Sequence, residues 1–398
     1  MAINASKGKF MKRVVVAGCG LAGLKTAIEL HKLLKNKVEV LGIDRSETFN
    51  FAPFIHRVAA TTIKANKTTF FLSDFFRKRG YEFFKGEAAG IKLKDKKLIT
   101  NKQSIDYDYL ILALGCETSF YGIPGAKENC FNFKTFNDAI ELSEHIARMF
   151  FNARSVEDKE ELEAMLRFVI CGGGATGLEL VTELAYYINN LSRKYEGLRG
   201  ELVLVEAMPR ILPGLPKEMA AYAENALRKL GIKLFRREPI VEVGEDFVEL
   251  RNGERIYSKT IVWCAGVKPP ELLKRSGLKL DKRGYVEVNR FLQAKLNGEA
   301  EETVYGAGDV IGFLKETGKP LLKLGRHAVD QGRVVARNIY ADISGKRKVP
   351  YSPRAEATVI SLGRGDAVGF YGDKILKGKM ALWLKYWVEN RYLKGYMV

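Results

Sequence analysis

Three glycines, Gly18, Gly20 and Gly23 in the string AGCGLAGLK, are the first residues of the chain whose types and spacing suggest chemistry. They form G-x-G-x-x-G between a β-branched strand and a stretch with apolar positions three to four apart. The first glycine of such a run permits a tight turn, the second lets main chain approach a pyrophosphate, and the third lets strand and helix pack closely. The helix that follows presents the positive end of its dipole to the anion. Asp44 closes the next apolar strand, VEVLGID, where a carboxylate can accept hydrogen bonds from ribose hydroxyls. The same plan returns in residues 168–184, FVICGGGATGLELVTEL, which repeat residues 14–30, VVVAGCGLAGLKTAIEL. There Gly172, Gly174 and Gly177 make the turn, and Glu206 takes the acid position at the end of ELVLVE. Two mononucleotide-binding units are therefore expected in one chain.

The elements that must position these turns alternate strand and helix, the order of α/β architecture. YDYLILALG (107–115) and TIVWCAG (260–266) read as apolar strands, and TVYGAGD (303–309) as a strand ending in a turn. One helix charged on one face is expected from Phe136 to about Leu166, and another from about Gly325 to Tyr340. Gly345 to Pro353 is basic and loop-like and precedes a separate C-terminal segment. The second unit reads as an insertion in the first, which resumes near residue 285. Residues 1–125 and 285–345 then form one nucleotide domain, 126–284 the other, and 346–398 a C-terminal region. Gly306-Ala307-Gly308-Asp309 resembles the second FAD fingerprint of two-dinucleotide flavoproteins, in which the aspartate contacts the ribityl chain. Together with the N-terminal turn it assigns FAD to the first unit and the nicotinamide nucleotide to the inserted one. A carboxylate at Glu206 repels a 2′-phosphate, so NADH is expected over NADPH.

Composition narrows the remaining classes. Apolar residues make up 46% of the 398 and charged residues 28%, an ordinary globular balance. The opening MAINASKGKFMKR is basic but leads straight into a strand, without the apolar stretch of a secretory signal, which points to a cytoplasmic protein. The formal net charge of +18 favours anionic partners such as phospholipid headgroups. No basic arm, zinc-finger spacing or helix-turn-helix is recognisable, so nucleic acid is not an expected partner. Cys19, Cys116, Cys130, Cys171 and Cys264 are dispersed without a CxxC, which suits a reducing compartment. Four scattered histidines make a metal site unexpected.

Longer stretches carry a family resemblance over almost the whole chain. FAPFIHRVAA (51–60), GCETSFYGIPGA (115–126), CGGGATGLELVTELA (171–185), TIVWCAGV (260–267), DQGRVVARNI (330–339) and SLGRGDAVGFYG (361–372) resemble type II NADH:quinone oxidoreductases, single-subunit, non-pumping respiratory enzymes. The resemblance implies two glutathione-reductase-like Rossmann domains, hydride transfer from NADH to FAD, and two electrons passed on to a quinone. It places Leu21, Ala22, Arg45, Pro53, Ala88, Ala113 and Gly115 with the first glycine turn, Gly308 and Asp309 at FAD. Ala175, Thr176, Ala265 and Gly266 join the second turn and Glu206 at NADH. Glu179 is implied near nicotinamide and flavin, orienting them or helping to supply a proton, and Gln331 beside the quinone head with Arg326 nearby. The chain departs from the family at GRHAVDQG, where Asp330 stands in place of the usual first glutamine.

The C-terminal stretch KMALWLKYWVENRYLKGYMV supports a membrane role on its own residues. Met380, Trp383, Leu384, Trp387 and Val388 fall on one helical stripe, Lys385 and Glu389 lie away from it, and Tyr386, Tyr392 and Tyr396 suit an interface. That is the pattern of a helix lying in a bilayer surface, here the cytoplasmic face of the cell membrane. Packing on the chain's own core, or on a second copy in a homodimer, is the alternative. The rival chemistry is sulfide:quinone oxidoreduction, which needs paired cysteines near the flavin, for which Cys130 and Cys171 are the candidates.

Overall fold

The computed structural model describes residues 11–315, 317–354 and 357–397; residues 1–10, on which part of the reading of the chain's start rests, lie outside that range. Val14, Val15, Val16 and Ala17 are fully buried, as a parallel strand covered on both faces requires. This strand, β1 (Lys12–Ala17), pairs in parallel with β2 (Val38–Asp44) on one side. Beyond β2 lies β3 (Glu82–Lys85), and on the other side of β1 comes β4 (Tyr109–Leu112).

A second parallel sheet is built from β5 (Phe131–Asn132), β6 (Arg167–Cys171), β7 (Glu201–Glu206), β8 (Lys233–Arg236) and β9 (Thr260–Trp263), in the order β5-β9-β6-β7-β8. The chain then returns to the first sheet with β10 (Gln293–Leu296) and β11 (Glu299–Gly306), completing the order β10-β11-β4-β1-β2-β3. Register decides what meets at the carboxyl ends. Ala17 aligns with both Ile43 and Leu112, and Leu112 with Gly306, so the turns after β1, β2, β4 and β11 share one edge of the first sheet. Cys171 aligns with Val205 and Trp263, which gathers Gly172, Glu206 and Cys264 on the matching edge of the second. Carboxyl ends of parallel strands are where such sheets bind ligands.

The helices that bear on the site are α1 (Leu21–Leu34), α2 (Ile55–Ala59), α3 (Phe136–Asn152), α4 (Ala175–Lys194), α5 (Gly325–Ser344) and α6 (Gly378–Met397). The single helix expected over 136–166 is two. Thr135 and Asp138 form a capping box that starts α3, which gives way to a short turn at Ala153–Ser155; Asp158 then caps a fresh helix, Lys159–Leu166, by accepting from Glu161 N. Helix α5 runs past Tyr340 and stops where Gly345 takes a left-handed φ of +63°.

The C-terminal segment forms an antiparallel sheet of β12 (Ala357–Ser361), β13 (Ala367–Tyr371) and β14 (Lys374–Lys377), against which α6 packs. Helix α6 is polarised in an unusual sense. Met380, Trp383 and Trp387 are 84%, 67% and 48% exposed, while Lys385 and Glu389 face inward with Ala381, Leu382, Leu393 and Tyr396. The Tyr396 hydroxyl donates to Leu21 O at 2.9 Å, so this tyrosine anchors the helix to the first unit instead of facing an interface. Among the described residues no helix is long and apolar enough to cross a membrane.

Candidate active site

The two glycine turns have the same geometry. Gly18 has φ +96°, and a Cβ there would lie 2.3 Å from Ala113 O; Gly172 has φ +109°, with a Cβ 2.5 Å from Ala265 Cα. A Cβ on Gly23 would lie 1.9 Å from Gly18 O, and one on Gly177 2.0 Å from Gly172 O. Only glycine satisfies both the backbone angle and the close approach at the first position. Gly20 and Gly174, by contrast, face open space, and they start α1 and α4 with no side chain capping either helix. Each helix therefore begins with bare amides and an uncompensated positive dipole end, a cradle that fits a dinucleotide pyrophosphate.

The two acids close their turns identically. Cys19 N donates to Asp44 Oδ2 at 2.8 Å and Ser46 N to Oδ1 at 2.9 Å. Gly173 N donates to Glu206 Oε2 at 2.7 Å and Met208 N to Oε1 at 2.7 Å. Each carboxylate oxygen keeps acceptor capacity for a ribose hydroxyl. Leu21 and Ala22 occupy the first turn of α1, and Ala175 and Thr176, both exposed, the first turn of α4. Ala113 N donates to Ala17 O at 2.8 Å, and Gly115 follows with φ +70°. Gly266 O accepts from Ser119 N at 3.0 Å and Ala265 O from Tyr121 Oη at 3.4 Å. Exposed Arg45 follows Asp44; Pro53 sits in the turn Ala52–Phe54 and Ala88 opens the strand Ala88–Lys92.

The third fingerprint rests on the first turn. Gly308 has φ +81°, and a Cβ on it would lie 3.2 Å from Ala22 Cβ. Gly308 N donates to Gln331 Oε1 at 2.8 Å, and Gln331 is 2% exposed. That side chain, expected beside a quinone head, here spends its carbonyl on the fingerprint turn. Arg326 is half-buried in the first turn of α5, and Asp330 pairs with Arg333 at 2.8 Å and Arg354 at 3.8 Å. Around Asp309 the structure adds groups that motif reading missed. Cys116 Sγ donates to Asp309 Oδ2 at 3.7 Å, Lys134 Nζ to Cys116 Sγ at 2.9 Å, and Lys323 Nζ to the carbonyls of Asp309, at 2.9 Å, and Ile311.

Glu179 sits where α2, α4, β12 and α6 meet, with its side chain 14% exposed. Its Oε1 receives Lys385 Nζ at 2.9 Å and both Ser361 N, at 3.1 Å, and Ser361 Oγ, at 3.2 Å. Lys385 Nζ also reaches Glu389 Oε1 at 2.6 Å. Burial pushes the Glu179 carboxyl up, but Lys385, His56 and Ser361 outweigh it, so the acid is held below its ordinary range. His56 Nδ1 lies 3.6 Å from Glu179 Oε2, yet burial lowers His56 to about 4, so the contact is not an ion pair at neutral pH. Glu389 moves the other way: burial outweighs Lys385 and raises it to about 7. Glu183, fully buried, accepts from Thr62 Oγ1 at 3.1 Å and is likewise raised by burial. His56 and Ser361 lie in two of the motifs that carried the family resemblance, whereas Lys385 had no local signal.

The cysteines do not assemble at the first turn. Cys171 ends β6 beneath the second turn, where its carbonyl accepts from Cys264 N at 2.8 Å, and Cys130 packs against the same apolar cluster as Cys171. All five cysteines are free, and no group of metal-binding side chains occurs among the described residues.

Residues 12–332 match the pyridine nucleotide-disulphide oxidoreductase family. A type II NADH:quinone oxidoreductase of Staphylococcus aureus (strain MSSA476) is 30% identical over 387 residues, covering 96% of this chain and 94% of the relative. One from Staphylococcus haemolyticus (strain JCSC1435) is 29% identical over the same shares. Among solved structures, NDH2 from Plasmodium falciparum in complex with NADH superposes with a TM-score of 0.85 at 16% identity, over 97% of each chain. The sulfide:quinone oxidoreductase of Aquifex aeolicus gives 0.79 at 22% identity, over 97% and 91%. At those identities the structures share the fold.

Proposed function

The chain belongs to the pyridine nucleotide-disulphide oxidoreductases and, within them, to the type II NADH:quinone oxidoreductases, and we propose that its two glycine cradles divide the work between a held FAD and an exchanging NADH. The enzyme is a flavoprotein that carries reducing equivalents from NADH to a quinone. One observation supports the division most: the turn after β11 and helix α5 pack on the first cradle, whereas Ala175 and Thr176 of the second stay exposed. In this reading residues 1–125 and 285–345 serve FAD, 126–284 serve NADH, and 346–398 serve membrane attachment.

Bound FAD supplies two-electron chemistry, taking a hydride from NADH and returning electrons to the quinone without proton pumping. The chain's own residues have the task of placement. Gly18, Gly20, Gly23 and Asp44 hold the nucleotide end of FAD, and Gly308 and Asp309, braced by Gln331, hold the flavin end. Gly172, Gly174, Gly177 and Glu206 hold NADH. Glu179, kept ionised by Lys385, acts as an orienting anion at neutral pH, and Glu389 is the neighbouring group poised to gain or lose a proton there. Gln331 and Arg326 remain the residues assigned to the quinone side, Gln331 through the turn it braces.

Helix α6 would dock on an anionic bilayer through Met380, Trp383, Leu384 and Trp387, attaching the protein peripherally to the cytoplasmic face. Arg391, 5.5 Å from the Trp387 ring centre, stands beside the apolar stripe to meet phosphates. Steady-state turnover of one short-tail quinone with NADH, NADPH and sulfide as donors tests the activity: NADH alone should support fast turnover, and sulfide-driven turnover would overturn the assignment. Binding to anionic vesicles should drop about tenfold or more in Trp383→Ser/Trp387→Ser, as two buried indoles predict. Unchanged vesicle binding, with dimers becoming monomers, would show instead that a second copy covers the stripe.

A further inference from the structure

Lys323 is a charged side chain placed on the main chain of the turn assigned to the flavin. Its Nζ donates to Asp309 O at 2.9 Å and to Ile311 O and lies 4.0 Å from the Tyr285 ring centre, and the residue immediately precedes Leu324, the N-cap of α5. Lys323 lines one hollow together with Gly308, Asp309, His327, Ala328 and Gln331. Lys134 reaches the Asp309 carboxylate through Cys116. Two ammonium groups thus contact the fingerprint aspartate, one on its main chain and one through Cys116. The other charges near Lys323 are Arg283 and Asp281, which pair with each other at 3.4 Å. Local charge is therefore weighted positive: Lys134 and Lys323 lie beside the one carboxylate of Asp309.

Two-electron reduction of a flavin places negative charge on its ring, and fixed positive charge in a half-buried site stabilises that form over the oxidised one. We propose that Lys323 is a positioning residue that also sets the bound flavin's preference for its reduced form, a role distinct from simply bracing the turn. The proposal rests on the assignment of FAD to the first cradle. Burial lowers Lys323 to about 8, opposed by Asp309, Cys116 and Asp281 and reinforced by Arg283. The charge, and with it the preference, is therefore lost in mildly alkaline solution.

The test is a spectroelectrochemical titration of FAD in the full-length holoenzyme, for wild type, Lys323→Met and Lys323→Arg, across the pH range around 8. Lys323→Met is expected to cut the ratio of reduced to oxidised FAD affinity about tenfold, which for a two-electron couple is about 30 mV more negative. Lys323→Arg should keep the wild-type midpoint. In wild type the slope of midpoint against pH should change near 8, a break that disappears in the methionine variant. A yellow Lys323→Met protein with an unchanged midpoint overturns the proposal. So does a wild-type titration without the break, which decides the matter even where the methionine variant fails to fold. A wild-type protein that never takes up FAD would sink the flavin assignment itself, a separate and recognisable failure.

Discussion

The two halves of the duplication start alike and finish differently. Both turns carry left-handed glycines that no other residue could replace, and both are closed by an acid that accepts two backbone amides. Over the first, however, α5 packs so closely on α1 that a Cβ at Gly332 would lie 2.5 Å from Ala22 O, and Gly308 rests against Ala22. The start of α4 is more open: Ala175 and Thr176 are exposed, and the segments that pack on this helix meet it further along, at Glu179 and Thr182. In the proposed division of labour, the covered cradle keeps its nucleotide and the open one exchanges it. If that division holds, residence time is set by what packs over a binding turn, with the turn itself unchanged.

The largest effects should come from the turns themselves. Gly18→Val puts a branched side chain at φ +96° against Ala113 O, and Gly172→Val does the same at φ +109° against Ala265. Each costs upwards of ~3 kcal/mol. Gly18→Val should yield colourless protein, while Gly172→Val should stay yellow with an NADH KM raised 100-fold or more. If both variants lost flavin, the division between the cradles would be wrong. Next, Glu206→Ala removes the acceptor for Gly173 N and Met208 N. It should raise the KM for NADH roughly tenfold to 100-fold and narrow the preference over NADPH, since charged-acceptor hydrogen bonds are worth about 1.5–3 kcal/mol. An unchanged NADPH ratio would show that selectivity lies elsewhere.

Gln331→Ala loosens only the cover of the first cradle, leaving Gly308 N without its acceptor. FAD affinity, read by ultrafiltration, should fall about tenfold with NADH binding untouched. The smallest effect concerns the junction between the cradles. The Glu389 carboxyl is raised from 4.5 to about 7 in the fold, so its contribution to stability is fully present below pH 4.5 and is lost as pH rises through 7. Glu389→Gln should remove that dependence, gaining roughly 1–2 kcal/mol on wild type between those limits in urea titrations. Parallel stability curves for the two proteins would rule out a titrating Glu389.

How much of this was legible in the chain itself follows from where the constraints are local. The glycine turns and their acids could be found because a left-handed φ and a strand end each impose a residue type within a few positions. The outward stripe of α6 was legible for the same reason, from spacing alone. The inward pair Lys385 and Glu389 was not, because an i, i+4 Lys–Glu pair looks the same on a surface as in a core. What buries it is Glu179, brought in from α4 far away in sequence. That partner also changes the value of a truncation. Cutting the chain near residue 375 would remove the proposed lipid contacts, but it would also strip Glu179 of its counter-charge and Leu21 of its bond to Tyr396. Substituting the two tryptophans is the cleaner probe. Gln331 matched the family at its position, yet its bond to Gly308 joins segments on either side of a turn and a strandless stretch, which no spacing rule anticipates.

Desalting the purified protein and then adding NADH under anaerobic conditions tests the division of labour most directly. About one FAD per chain should stay with the protein through the column, bleach when NADH is added, and recover its colour when a quinone follows. Flavin that washes away, or that stays oxidised in excess NADH, would contradict it.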